Sequence, residues 1–353
     1  MNMQSLRERL MNPADSQDRH EVEAFLNSQG LSLETSLDVT LAFYDGNRMV
    51  GTGSLAGNVL KCMAVDPALQ GEGLAARIIT RLTQEAFDRG MAHLFVFTGI
   101  KNKTIFADMG FYEIGSVPGQ VVLMENQPKG LRDYLAAIQA SISPKASEKA
   151  DQVGAIVMNC NPFTLGHQYL IETAASEMNQ LHVFVVWEDR SSFPTEDRYQ
   201  MVLEGTAHLP NVHVHQGRDY IISGATFPTY FLKDAAQATE IHCRLDLDVF
   251  GGKIAPTLSI GRRFVGEEPY CEVTRLYNRT MKEVLPSYGV EVIEIPRLEG
   301  NQGWISASKV REALREDQIK LVETMVPATT MNYLQSPAGQ KVIQQLKETA
   351  GRH

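Results

Sequence analysis

The chain changes rhythm once, and that change limits what it can fold into. From residue 153 onward short apolar strands alternate with helical stretches. Residues 153–158, 181–187, 212–214, 240–245 and 290–295 read as strands, and 165–178, 196–208 and 274–285 as helices. Parallel strands need a crossover between them, so this alternation predicts βαβ units and a doubly wound parallel sheet. Residues 38–65 are different. Segments 38–44, 48–55 and 59–65 follow one another with Asp45-Gly46-Asn47 in the first gap, the pattern of an antiparallel meander. A helix then sets Leu74, Ile78, Leu82 and Ala86 on one face and stops at Gly90. Strand 93–98, a short helix near 103–109 and strands 111–116 and 120–124 complete an α+β order. Between the two rhythms, residues 143–149 are polar and contain Pro144, as linkers do. The expected organisation is an N-terminal domain over 1–126, a linker over 127–150 and a C-terminal domain over 151–353.

A length of 353 residues leaves room for two cores. Lys and Arg total 33 against 42 Asp and Glu, a net charge of −9, with no run of like charges. Such a surface argues against nucleic acid or anionic lipid as a partner. Apolar runs such as 183–187 fall far short of the roughly 20 residues that cross a bilayer. Residues 1–25 lack the apolar block of a secretion signal. Cys62, Cys160, Cys243 and Cys271 lie far apart without metal-ligand spacing. No structural metal is expected, and a reducing cytoplasm is the expected location.

Two segments of the C-terminal half carry chemistry. Strand 153–158 runs into Asn159-Cys160-Asn161-Pro162-Phe163-Thr164-Leu165-Gly166-His167, where an amphipathic helix opens. A helix start beneath a parallel strand offers free N–H groups and a positive dipole end to a phosphate. Gly166 lets a nucleotide approach the backbone, and Thr164 and His167, one turn apart, face the same bound group. Far downstream, Ile305-Ser306-Ala307-Ser308-Lys309-Val310-Arg311 opens the helix expected over 308–315. Ser308 is the expected N-cap, and Arg311 has the fork that clamps a departing pyrophosphate. Two such half-sites in one doubly wound domain fit adenylyl transfer by positioning and electrostatics.

A third segment, Gln70-Gly71-Glu72-Gly73-Leu74-Ala75, follows strand 59–65 and opens the helix at Leu74. Its glycines and helix-start N–H groups suit a diphosphate. It also satisfies GxGxxA, but the next strand ends in Thr98-Gly99 without a ribose-binding acid, and no Gly-Lys-Ser/Thr follows for a P-loop. His213 and His215 share a strand face without an evident third metal ligand, Arg198 reads as a structural arginine near a helix start, and Arg262-Arg263 with Glu267-Glu268 read equally as a salt-linked surface or as contacts for nucleotide or carrier protein.

The paired segments at 161–167 and 305–311 resemble the H/T-x-G-H and I-S-S/T-x-x-R motifs of the cytidylyltransferase-like nucleotidyltransferase superfamily, with Thr164 in place of the first His and Ala307 in place of a common Ser. Residues 70–75 and Met109-Gly110-Phe111-Tyr112 resemble the acetyl-CoA motifs of Gcn5-related N-acetyltransferases. Stretches 219–228, 263–269 and 273–278 resemble the citrate lyase ligase family, and the likeness runs through essentially the whole chain. It implies an α+β acetyltransferase-like domain followed by a Rossmann-like adenylyl-transfer domain. It also implies that acetate and ATP give acetyl-adenylate, and that the thiol of a CoA-derived group on the acyl-carrier subunit of citrate lyase takes the acetyl group. Thr164, His167, Ser308 and Arg311 would be catalytic, with Asn159, Asn161, Phe163, Gly166, Ser306 and Lys309 around the nucleotide and Mg²⁺ held mainly by phosphates. Gln70, Gly71, Gly73 and Ala75 would hold the CoA-like arm. The alternatives are a phosphopantetheine- or nicotinamide-mononucleotide-type adenylyltransferase fused to an acyl-CoA-binding domain, and a non-catalytic acyl-CoA or nucleotide sensor.

Overall fold

The antiparallel half of the sequence forms a seven-stranded mixed sheet. The computed structural model describes residues 6–12, 14–142, 152–188, 191–221, 230–232, 235–269, 271–300 and 303–350. It divides into two units, Met1–Asp133 with Phe227–Val249, and Tyr134–Thr226 with Phe250–His353. Strands β1 (Arg7–Met11), β2 (Val39–Asp45), β3 (Arg48–Ala56), β4 (Val59–Val65), β5 (Phe95–Gly99), β6 (Tyr112–Val117) and β7 (Val121–Glu125) lie in the order β1-β2-β3-β4-β5-β7-β6. Every neighbouring pair is antiparallel except β4 and β5. Helix α1 (Ser16–Ser28) and strand β1 were not evident in the sequence, because β1 is five residues long with three exposed. Asp15 caps α1 by accepting from the Gln17 and Asp18 N–H groups at 2.8 and 3.0 Å. Helix α2 (Leu74–Asp88) buries Leu74, Ile78, Leu82 and Ala86 against one face of the sheet, as their spacing predicts. Each of the larger side chains contributes about 1.5–3 kcal/mol by leaving water. The short α3 (Lys103–Asp108) and α4 (Gly130–Ser141) follow.

Helix α4 occupies most of the described part of the expected linker, while residues 143–150 lie outside the described residues. The expected limits were 1–126 and 151–353; the first unit comprises Met1–Asp133 and Phe227–Val249. A correction concerns residues 240–245, expected as a strand. They lie in helix α7 (Ala235–Val249), whose buried Ala238, Ile241, Leu245 and Val249 recur at helical spacing. A six-residue apolar window does not separate strand from buried helix; the longer repeat does. Asp248 at the end of α7 accepts from the Ser116 N–H of edge strand β6 at 2.8 Å.

In the second unit, β8 (Val153–Met158), α5 (Leu165–Glu177), β9 (Gln180–Val185), α6 (Thr195–Gly205) and β10 (Val212–Gln216) are followed by a π-helical turn at Phe250–Ile254, then α8 (Ala255–Thr257), β11 (Arg262–Gly266), α9 (Glu272–Val284) and β12 (Glu291–Ile295). The five strands are all parallel, in the order β10-β9-β8-β11-β12. This is the doubly wound sheet the alternation predicts. Its order reverses between β8 and β11, and a crevice opens outside the carboxyl ends of strands at such a reversal. A hairpin of β13 (Glu299–Gly300) and β14 (Gly303–Trp304) leads to α10 (Ala307–Arg315), α11 (Ile319–Glu323), α12 (Ala328–Gln335) and α13 (Pro337–Ala350). Phe163, Ile171, Val183, Phe264, Val310 and Leu314 share one core, so the start of α5 and the start of α10 are fastened to the same sheet face.

Candidate active site

Thr164 caps α5, and the cap fixes a chemical state. The His167 N–H donates to Thr164 Oγ1 at 3.3 Å, while the Thr164 N–H donates to His167 Nδ1 at 3.1 Å. The Thr164 hydroxyl lies 3.0 Å from the same Nδ1. A ring nitrogen that accepts carries a lone pair, so the proton of the neutral imidazole sits on Nε2. Burial, and then the positive charge of Arg297, lower the His167 pKa to about 4. His167 is therefore a neutral Nε2–H donor at physiological pH. Phe163 stacks beneath it with ring centroids 6.0 Å apart. Phe163 is fully buried and forms the floor under His167. The peptide bond between Asn161 and Pro162 is cis.

The second segment arrives at the same place. Arg311 Nη1 donates to the Asn161 carbonyl, 150 residues away in sequence, and its Nη2 donates to Ser308 Oγ at 3.3 Å. The Ile305 carbonyl lies beside Gly166, where a Cβ would meet it at 3.4 Å, in van der Waals contact. The two helix openings thus meet beyond the carboxyl end of β8. Burial and then the charge of Arg315 lower the Arg311 pKa, yet an arginine stays charged. One expectation is corrected. The N-cap of α10 is Ser306, whose side chain accepts the Lys309 N–H at 3.2 Å, and the helix begins at Ala307. Ser308, displaced from the cap, is exposed, and so is Lys309. Replacing Ser306 with alanine is expected to cost about 1 kcal/mol in denaturant unfolding.

Two further arginines stand near these segments. Arg198, on α6, has no exposed surface and donates to the carbonyls of Asn159, Val186, Glu188 and Phe193 and to Asn159 Oδ1 at 2.6 to 3.1 Å. It is structural, as expected, and what it ties down is the loop that carries Asn159. Asn161 Oδ1 in turn accepts the Phe193 N–H at 3.0 Å. Arg297, beyond β12, was not singled out in the sequence, since nothing in Ile295-Pro296-Arg297-Leu298 signals a site. It ion-pairs with Glu268, donates from Nε to the Glu267 carbonyl at 2.7 Å and places positive charge near His167. Of the open cases, Arg262 pairs with Glu291 at 3.1 Å on the surface, while Arg263 is buried over the Phe250 ring at 4.2 Å. His213 and His215 gain a third histidine, His182, on the same sheet face, yet no metal-holding group exists among the described residues.

In the first unit, Gly71 and Gly73 adopt φ of 87° and 90°, a left-handed backbone that side chains resist. Gly73 is the N-cap of α2, and residues 70–73 are exposed, with Ala75 half-buried behind them. The loop turns its backbone outward at a helix start, as an anion cradle does.

The second unit is an α/β domain built on a five-stranded parallel sheet, with its Thr164–His167 and Ser306–Arg311 segments meeting beyond the end of its first strand. A family model described as the citrate lyase ligase C-terminal domain matches residues 153–334, and one described as an acetyltransferase (GNAT) domain matches residues 13–120. Curated relatives named [citrate [pro-3S]-lyase] ligase include those of Klebsiella pneumoniae, 42% identical over 91% of this chain and 93% of the relative, and Escherichia coli strain K12, 40% identical over 90% of each. That of Haemophilus influenzae is 41% identical over 89% of this chain and 94% of its own. The chain belongs to the citrate lyase ligase family.

Proposed function

We propose that this [citrate [pro-3S]-lyase] ligase makes acetyl-adenylate from acetate and ATP, then transfers the acetyl group to a thiol of citrate lyase. The family assignment carries ATP use and action on citrate lyase. The observation that supports the route is the meeting of the two helix openings, held by Arg311 on the Asn161 carbonyl. An acetate oxygen attacks the α-phosphorus and the bond to pyrophosphate breaks. His167 Nε2–H donates to the α-phosphate oxygen as charge builds, with Thr164 holding the ring. Arg311 and Ser308 take the departing pyrophosphate, Ser306 and Lys309 stand at the same helix start, and Asn159, Asn161 and Gly166 line the nucleotide. Mg²⁺, held mainly by the nucleotide's phosphates, would neutralise further charge.

The acceptor is the thiol of a CoA-derived group on the acyl-carrier subunit. Its ordinary pKa of about 8.5 means that attack on the adenylate speeds up as pH rises toward that value. The loop of Gln70, Gly71, Gly73 and Ala75 captures the diphosphate of that arm. Gly73→Trp is expected to lower turnover with intact carrier protein by about tenfold or more, since the bulky side chain fills the cradle and strains a left-handed position. Unchanged turnover would remove the loop from the mechanism. No described helix is long and apolar enough to cross a membrane, and the free cysteines fit a reducing cytoplasm. The deciding assay incubates the protein with ATP, Mg²⁺ and acetate, with and without deacetylated citrate lyase, and follows pyrophosphate, AMP and regained lyase activity. A dinucleotide product formed from phosphopantetheine or nicotinamide mononucleotide, without lyase activation, would favour the small-molecule adenylyltransferase instead.

A further inference from the structure

Arg297 is held along one edge of its guanidinium fork and open along the other. Its Nε donates to the Glu267 carbonyl at 2.7 Å, and its Nη2 pairs with Glu268, whose other carboxylate oxygen accepts the Cys271 N–H at 3.1 Å. Nη1 has no partner among the described residues, and 20% of the side chain stays exposed, so a small anion can reach it. Arg198, in contrast, spends its fork on backbone carbonyls and has no exposed surface.

The fold sets this arginine beside the opening of α5. The Glu267 N–H donates to the Ile295 carbonyl at 3.0 Å, which keeps the carboxyl ends of β11 and β12 together just ahead of Arg297. Gly266, the last residue of β11, lies against α5: a Cβ there would stand 4.0 Å from Leu170, one turn beyond His167. On its other side, the Leu298 carbonyl accepts the Ile305 N–H at 3.4 Å, and the Ile305 carbonyl lies beside Gly166. After burial, the charge of Arg297 is what lowers the His167 pKa.

We infer that Arg297 binds the carboxylate of acetate through its open Nη1 edge and delivers it to the α-phosphorus. The inference rests on the proposed adenylation. Acetate and the triphosphate are both anions and repel each other, so the nucleophile needs a cation of its own, and a guanidinium fork matches a carboxylate. In-line displacement puts the attacking oxygen and the departing pyrophosphate on opposite sides of the α-phosphorus. Arg311 and Ser308 serve the pyrophosphate side. The carboxylate therefore calls for a second cation beside His167 that is not part of the α10 opening, and Arg297 meets both conditions. One carboxylate oxygen forms the bond to the α-phosphorus, the bond to pyrophosphate breaks with its electron pair leaving on pyrophosphate, and no proton moves. Once the mixed anhydride has formed, the acetyl group carries no charge and releases Arg297.

The test is steady-state pyrophosphate release by the full-length protein, with acetate and ATP varied in turn. Arg297→Gln is expected to raise the acetate KM by about tenfold or more while the ATP KM changes far less. Acetyl transfer to deacetylated citrate lyase from supplied acetyl-adenylate is expected to fall far less than transfer from acetate and ATP. Should the Glu268 left alone by this change repel acetate or prevent folding, the double variant Arg297→Gln with Glu268→Gln removes both charges and carries the same expectation. An unchanged acetate KM in a folded variant, an equal rise of both KM values, or an equal loss from acetate and from acetyl-adenylate overturns the role of Arg297 and leaves adenylation standing. Absence of acetate-dependent pyrophosphate release by wild type overturns adenylation and this inference together.

Discussion

Replacing His167 with alanine is expected to lower acetate-dependent pyrophosphate release by about 10²- to 10³-fold while the protein stays folded. The loss has a single origin. The Thr164 N–H occupies Nδ1, so the only proton the ring can offer is on Nε2, the proton proposed to meet the charge building on the α-phosphate. Alanine also removes half of the α5 capping box, which costs about 1 kcal/mol in stability and is too small to unfold the domain. Pyrophosphate release and thermal unfolding separate the two effects. Activity close to wild type would show that His167 does not act on the phosphate. The donor is also insensitive to mild acid: with its pKa near 4, His167 keeps the same form from pH 8 down to about 5.

The second large effect is on stability against pH. His182 and His215 are buried, with His182 Nδ1 and His215 Nε2 2.9 Å apart. Burial first, and then neighbouring histidines, lower the His182 pKa to about 3 and the His215 pKa to about 4. In the unfolded chain both titrate near 6.5, so the unfolded state takes up protons first as pH falls. The stability that depends on keeping them neutral is complete above about pH 6.5 and drains away as pH drops toward 4 and then 3. The loss is on the order of 5 kcal/mol across that window, a large share of what holds a domain together. Urea unfolding at pH 7.5, 6 and 5 checks it. The double replacement His182→Leu with His215→Phe is expected to flatten the dependence; an equally steep fall in that variant would place its origin elsewhere.

Much of the site was legible because it is local. A cap three residues ahead of the histidine it contacts, and a glycine turn before a helix, are written in adjacent residues. The cap of α10 shows the limit of such reading. Ser306 and Ser308 are both plausible caps by residue type, and only the backbone shows that Ser306 takes the Lys309 N–H. The burial of Phe163 shows a related limit, since sequence does not say which side of a loop faces the core. Arg297 carried no signal, because its effect on His167 depends on two strand ends lying together.

Left to itself, the sequence settled the two rhythms, the α+β and doubly wound halves, and the motifs at 70–75, 161–167 and 305–311. Each follows from periodicity or from neighbours within a turn or two. Only the tertiary structure decided that Arg311 reaches the Asn161 carbonyl, that α7 belongs to the first unit, and that Tyr230 packs beside Cys62 and Ala64 of β4. Those outcomes depend on contacts between residues 100 or more apart, where the free energy comes from shared burial and paired polar groups that no short window of sequence contains.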